Sequence, residues 1–179
     1  MPRTSDARQR MIKTTARLFR RQGFHGTGLQ QVLADSGAPR GSLYFHFPDG
    51  KQQLTEEAVR YEAAGIGRRL RRMLDEKPLQ ADAVRLMFDS YADWLERTEF
   101  AEGCPVAAVA LDLTPGWEGA REACRQAFED WTRLLAECFG HDRAELVLAS
   151  LEGALVLARG GRTAEPMRRI GRQLAEFFG

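Results

Sequence analysis

Residues 29–54, LQQVLADSGAPRGSLYFHFPDGKQQL, decide how the chain reads. Leu29, Val32 and Leu33 recur at helical spacing and give a short helix one apolar face. Gly37 stands where that helix must stop and the chain reverse, a place suited to positive φ. Pro39 reads as the pre-set first residue of a second, very short helix ending near Phe45. In it Leu43 turns inward while Arg40, Ser42, Tyr44 and His46 turn outward. Pro48, Asp49 and Gly50 break it, and Lys51 opens a third helix. Just upstream, Thr27 with Gln30 three residues later reads as a capping box. A helix, a glycine turn and a second helix rich in nucleic-acid-gripping residues is the layout of a helix-turn-helix, whose second helix enters the DNA major groove.

An earlier helix over about residues 6–22 carries a stripe of Ile12, Ala16 and Phe19. Gly23 ends it and Phe24 plugs the space behind. Its other face holds Arg3, Arg8, Arg10, Lys13, Arg17, Arg20 and Arg21. Beyond residue 51 the pattern stays helical and no alternating strand of useful length occurs. Helices are expected over about 51–74, 80–98, 104–113, 117–139, 141–159 and 164–178, with Lys77-Pro78 and Thr114-Pro115-Gly116 as breaks. The fold class is therefore all-α. A three-helix N-terminal DNA-binding domain spans residues 1–60, and a helical ligand-binding and dimerisation domain spans residues 61–179.

Charge agrees with that division. The 179 residues carry a net charge of only +1. Residues 1–60 hold ten Lys/Arg against five Asp/Glu, a net +5, while residues 61–179 hold sixteen against twenty, a net −4. A basic head on an acidic body suits a DNA-reading module joined to a domain that does not touch DNA. No signal peptide is evident, and no apolar run approaches the ~20 residues of a membrane span. Cys104, Cys124 and Cys138 are odd in number and widely spaced, which fits a reducing cytoplasm with the thiols as small buried hydrophobes.

Catalytic and metal patterns fail on spacing. GFHGTG follows a helix rather than a strand, and PDGKQQ lacks the hydroxyl residue that follows a P-loop lysine. His25, His46 and His141 form no H-x-x-x-H pair and the cysteines no C-x-x-C, so no structural metal, cofactor or catalytic group is expected. Ser42, His46 and Asp49 sit on an exposed basic helix with no oxyanion donor in prospect.

Residues 7–60 resemble the DNA-binding domain of TetR-family transcriptional repressors. The resemblance rests on Ile12, Ala16, Leu18, Phe19, Gly23, Phe24, Val32, Gly37, Gly41, Leu43, Tyr44, Phe47, Lys51 and Leu54, in order and at the family's spacing. The FPDGK turn, one residue longer than the usual F-x-x-K form, and the later GCPVAAVALDL segment resemble the LmrA/YxaF-like subgroup. Ala38 departs from the pattern, because the family often has a capping Ser or Thr there. The resemblance implies a homodimer whose last two helices form a four-helix bundle with the partner's. It also implies a pocket for planar or drug-like hydrophobic compounds.

Roles follow from chemistry. Arg40 suits bidentate bonding to a guanine edge, or else a phosphate contact or a solvated surface position. Tyr44 suits a phosphate bond through its hydroxyl, beside a half-buried packing role. His46 reads as a phosphate or thymine-methyl contact, or as a plain solvated residue. Lys51 suits a phosphate beside free N–H groups of a helix start. Thr27 is first a cap and second a phosphate contact; Pro39 shapes the helix start, and Gly41 and Ser42 permit close approach.

In the second domain Met87, Phe88, Tyr91, Trp94 and Trp117, with Val106, Leu111, Phe128 and Trp131, are either core or the lining of an effector cavity. Cys104 could join that lining. Leu148, Leu151 and Leu155, then Met167, Ile170, Leu174 and Phe177, line one face of each of the last two helices. They serve a dimer or pack on their own core. The function expected is a sequence-specific regulator, a repressor of a palindromic double-stranded operator released by a small hydrophobic effector. A nonspecific DNA binder without an effector, or a ligand-binding protein that has lost DNA binding, is the alternative.

Overall fold

The computed structural model describes the backbone of residues 4–76 and 79–179, and their side chains except at positions 4, 5 and 40. Arg3, the Lys77-Pro78 break and the Arg40 side chain lie outside what is described. Among the described residues every element is helical. They are α1 (Thr4–Gln22), α2 (Leu29–Ser36), a 3-10 turn (Arg40–Ser42) running into α3 (Leu43–His46), α4 (Lys51–Glu76), α5 (Gln80–Arg97), α6 (Pro105–Asp112), α7 (Glu118–Phe139), α8 (His141–Gly161) and α9 (Glu165–Phe178). The chain is all-α, as its periodicity predicts. One element differs in kind: the helix expected from Pro39 begins as a 3-10 turn, with Pro39 just outside it at φ −58°, ψ 139°.

Contacts divide the chain into two compact units. One is Met1–Ala64 with Pro105–Ala127, the other Gly65–Cys104 with Phe128–Gly179. This grouping is not a cut at residue 60: α6 and the first part of α7 pack with the N-terminal helices.

The first unit is organised around Met11, Ile12, Leu18, Val32, Leu33, Leu43, Phe47 and Leu54, all buried. Each such side chain taken from water contributes about 1.5–3 kcal/mol, which is what holds helices as short as α2 and α3 in place. Gly37 takes φ 62°, and the N–H groups of Gly37 and Ala38 reach the carbonyls of Ala34 and Leu33. That left-handed cap ends α2 and turns the chain towards α3. Arginines of α1 lock the packing: Arg8 bonds Glu57 at 2.7 Å, Arg17 bonds Asp35 at 3.2 Å, and Arg20 meets both oxygens of the buried Glu62 carboxylate at 3.0 Å. These charges, which the sequence presents as one basic face, tie α1 to α2 and α4.

In the second unit α5 lies along α9. A Cβ built on Gly171 of α9 would stand 2.6 Å from Cβ of the fully buried Phe88 of α5, so the helix backbone rests directly on that ring. Arg168 of α9 bridges to Glu96 at 2.6 Å and Asp93 at 2.9 Å, and Arg71 of α4 grips both oxygens of Glu137 of α7 at 2.8 Å. Five residues expected at a dimer surface belong to this core instead. Leu148, Leu151, Leu155, Met167 and Leu174 are buried in their own chain, Ile170 is half-buried, and only Phe177 is exposed. On α9 the single apolar stripe faces its own core, and α8 is apolar on more than one side. Its leucines face inward, while Leu146, Val156 and Leu157 stay exposed on the other side.

Candidate nucleic-acid interface

The short 3-10/α3 segment is anchored by two side chains four apart. Leu43 and Phe47 are 2% and 0% exposed, whereas Tyr44 and Phe45 between them are 66% and 73% exposed. The segment thus turns one side to its own core and presents two aromatic rings to solvent. The Tyr44 ring lies over the Gly50 turn: a Cβ at Gly50, which has φ 60°, would come within 3.2 Å of Tyr44 Cε1. A side chain at Gly50 would therefore crowd the ring where it now lies. The His46 ring is half-buried and meets Phe45 and Phe47 edge-on, at 5.0 Å and 6.4 Å between centroids.

Gly41 is exposed, and a Cβ there would meet nothing within 4 Å. Its lack of a side chain is not required by the protein's own packing, so the space is open to an external molecule. Ser42 Oγ donates to the Pro39 carbonyl at 2.7 Å, leaving its lone pairs outward. The Arg40 backbone is in the 3-10 turn at the head of this ridge.

Two expected contacts change. Thr27 is 1% exposed and its hydroxyl donates to the Gly23 carbonyl at 2.8 Å. It closes the turn between α1 and α2, neither capping α2 nor reaching out. The residue at the N-cap is Gly28, whose carbonyl accepts from Val32 N–H at 3.1 Å. Lys51 turns inward: its ammonium lies 4.6 Å from the Phe24 ring centroid and donates to the Phe24 carbonyl at 3.4 Å. Desolvation there lowers its pKa. At this end of α4 the groups left for an anion are backbone N–H groups of the first turn.

The turn after α1 is buttressed from a distant part of the sequence. His25 Nε2 lies 3.0 Å from the Asp112 carbonyl at the end of α6, and Asp112 Oδ2 stands beside the Gly23 turn. Trp117 packs edge-on against Phe24 at 4.8 Å, and Gln52 of α4 donates to the Gly116 carbonyl at 2.6 Å. Nothing in the local sequence signals these pairings, because they join residues 64 to 93 positions apart. Beside them is an open cleft of about 150 Å³ between Gln52, Gln53, Glu56, Trp117 and Glu118. It is small and polar against the ~300–1,000 Å³ apolar cavities that hold drug-sized ligands.

The residues expected to line an effector cavity do not form one set. Val106, Leu111 and Trp117 belong to the first unit, where Val106 is buried core, Leu111 is 81% exposed and Trp117 covers Phe24. In the second unit Met87, Phe88 and Trp131 are buried, while Tyr91, Trp94, Cys104 and Phe128 are half-buried. Tyr91 meets Trp94 edge-on at 6.1 Å, and Phe128 meets Trp131 at 5.6 Å. Polar groups sit near Tyr91: burial raises its phenol, with Arg69 opposing, and burial raises the Glu152 carboxyl, with a hydrogen bond from Cys104 opposing. The cysteines also separate. Cys124 is buried, with its thiol pushed up to about 11 by desolvation, whereas Cys104 and Cys138 are half-buried. Among the described residues no group of three His, Cys, Asp or Glu is placed to hold a metal ion, and no helix is long and apolar enough to cross a membrane.

Comparison with known proteins bears on this surface directly. Residues 11–58 match the model of bacterial regulatory proteins of the tetR family, and residues 80–173 match the C-terminal domain of LmrA/YxaF-like transcriptional regulators. The chain is 31% identical to the HTH-type transcriptional regulator YxaF of Bacillus subtilis, covering 97% of this chain and 96% of that one. It is 31% identical to the HTH-type transcriptional regulator LmrA of the same organism, covering 92% and 93%. A crystal structure of a TetR transcriptional regulator from Chloroflexus aurantiacus superposes with a TM-score of 0.83 at 26% identity, covering 99% and 96%. The regulator CifR, solved as a cysteine mutant with 26-bp double-strand operator DNA, shares the fold with a TM-score of 0.79 at 22% identity, covering 98% and 96%.

Proposed function

The chain belongs to the TetR family of DNA-binding transcriptional regulators, in its LmrA/YxaF-like branch, and on that premise we propose that it is a homodimeric repressor released from its operator by a small hydrophobic or aromatic effector. Proteins of this kind are regulators and not enzymes. The observation that carries the reading is the solvent-facing surface of the 3-10/α3 segment, with its exposed Gly41, Tyr44 and Phe45, anchored to the core of its unit by Leu43 and Phe47. Residues 1–60 read the DNA. Tyr44, His46 and the first turn of α4 bond phosphate, Gly41 and Ser42 admit the duplex, and Pro39 and Arg40 lead into the groove. Residues 61–179 bind effector and partner, and the protein works in the cytoplasm.

The partner is a second copy seated on the outer face of α8. Leu146, Ala149, Gly153, Val156 and Gly160 recur there at helical spacing, all exposed, with small residues that allow close approach. A two-fold pair reads two half-sites about one helical turn, ~34 Å, apart or a multiple of it. The effector sits among Tyr91, Trp94 and Phe128, beside Trp131 and Cys104. It acts by favouring the state whose two reading helices miss the half-site spacing. A hundredfold loss of operator affinity requires about 2.7 kcal/mol of coupling.

The test is a titration against the DNA upstream of the protein's own coding sequence, at two salt concentrations, with scrambled DNA as control. Tight binding that discriminates against the scramble at the higher salt supports the reading. Equal, salt-sensitive binding to both DNAs identifies a nonspecific binder instead. Operator affinity unchanged by every compound that binds removes the effector-release part.

A further inference from the structure

We propose that Phe45 is a base-reading residue, selecting a thymine in each half-site through its C5-methyl group. The inference rests on the reading of α3 as the groove-entering helix. Leu43 and Phe47 define the side of α3 that faces its own core. At about 100° per residue, Phe45 points directly away from that side, while Tyr44 and His46 point to either flank. Four residues earlier, in the 3-10 turn that leads into α3, is the exposed Gly41, with empty space where a Cβ would be.

A helix laid in the major groove with its core behind it turns its flanks to the two phosphate strands and its outward ridge to the base edges. The flanks here carry a hydroxyl and an imidazole, groups that bond phosphate. The ridge carries a phenyl ring with no donor or acceptor, 73% exposed and met edge-on by His46 at 5.0 Å. On the floor of the major groove the apolar group is the thymine methyl; the other features of the base edges are hydrogen-bonding atoms. The missing side chain at Gly41 lets the ridge approach closely enough for van der Waals contact.

The probe is duplex DNA carrying the motif that the full-length wild-type protein enriches from a random pool. Each thymine of the motif is replaced in turn by deoxyuridine, which removes the methyl and keeps every hydrogen bond. Uracil at one symmetric thymine position should weaken wild-type binding about fourfold per half-site and about fifteenfold when both are replaced, the worth of one buried methyl at each. Phe45→Ala should bind the thymine and uracil duplexes equally, and Phe45→Leu should recover part of the preference. The exposed position predicts unchanged helicity and melting temperature for both variants. Wild-type affinity indifferent to uracil at every position, or Phe45→Ala retaining the full preference, overturns the proposal while leaving sequence-specific binding intact. A protein that enriches no sequence overturns the repressor reading as well.

Discussion

The Tyr44 ring lies beside the Gly50 turn and is 66% exposed. Tyr44→Phe is expected to lower operator affinity roughly ten- to a hundredfold, the worth of one hydrogen bond to a charged phosphate, and to leave the salt dependence of binding unchanged because the protein loses no charge. Anisotropy titrations across a salt series read both quantities, and an unchanged affinity would take this hydroxyl off the phosphate. Thr55 presents the reverse case. It is fully buried in α4 and its hydroxyl has no hydrogen-bond partner. Thr55→Val keeps the shape and removes the desolvated oxygen, so thermal unfolding should show equal or greater stability, by up to about 1 kcal/mol. A loss of that size would mean the hydroxyl is satisfied. At this scale the sequence was legible where one residue type has one use, as with Gly37 at positive φ. It misled at Thr27, because capping depends on where a helix starts. With α2 beginning at Leu29, the hydroxyl of Thr27 is one position too early and bonds backward to Gly23.

Between elements, the α9 backbone at Gly171 rests against Phe88 of α5 in the second unit. Gly171→Ala gains about 1 kcal/mol of helix propensity but forces a methyl to within 2.6 Å of Phe88 Cβ and 3.0 Å of its ring. Overpacking should dominate, for a net loss of about 1–2 kcal/mol in thermal or urea unfolding. Stability equal to wild type would show that α5 and α9 can slide apart at no cost. In the first unit Trp117→Ala should cost about 2 kcal/mol, less than for a fully buried tryptophan, and speed hydrogen exchange in the α1–α2 turn that Trp117 covers. Helix boundaries were readable because Pro105, Gly37 and Thr114-Pro115-Gly116 are strong local stops. Helix orientation was not readable for α8. Its inner leucines and its outer Leu146, Val156 and Leu157 make it apolar on more than one side, so periodicity could not choose the face that points inward. The pairing of residue 25 with residue 112 left no local trace at all.

For the whole molecule, the same two faces of α8 give a paired test. Val156→Arg charges the exposed face and should leave the melting temperature near wild type while converting dimer to monomer in sedimentation velocity. Operator affinity should then fall by more than about tenfold, since the second half-site contact is no longer linked to the first. Leu151→Ala, on the buried face, should cost about 2–5 kcal/mol of stability instead. If Val156→Arg stays dimeric, the partner sits elsewhere. The uneven charge of residues 1–60 and 61–179 was visible in the sequence; how the chain folds up its parts was not visible there. The N-terminal helices rest on Asp112, Gly116 and Trp117, contributed from the middle of the chain. Recombination between relatives is constrained by this. A hybrid regulator spliced at residue 60, joining this reading head to another protein's sensor, would inherit a head whose supporting residues come from a foreign sequence. Successful grafts should be those that carry residues 105–127 along with the head, so the heritable module of this protein is discontinuous in its gene.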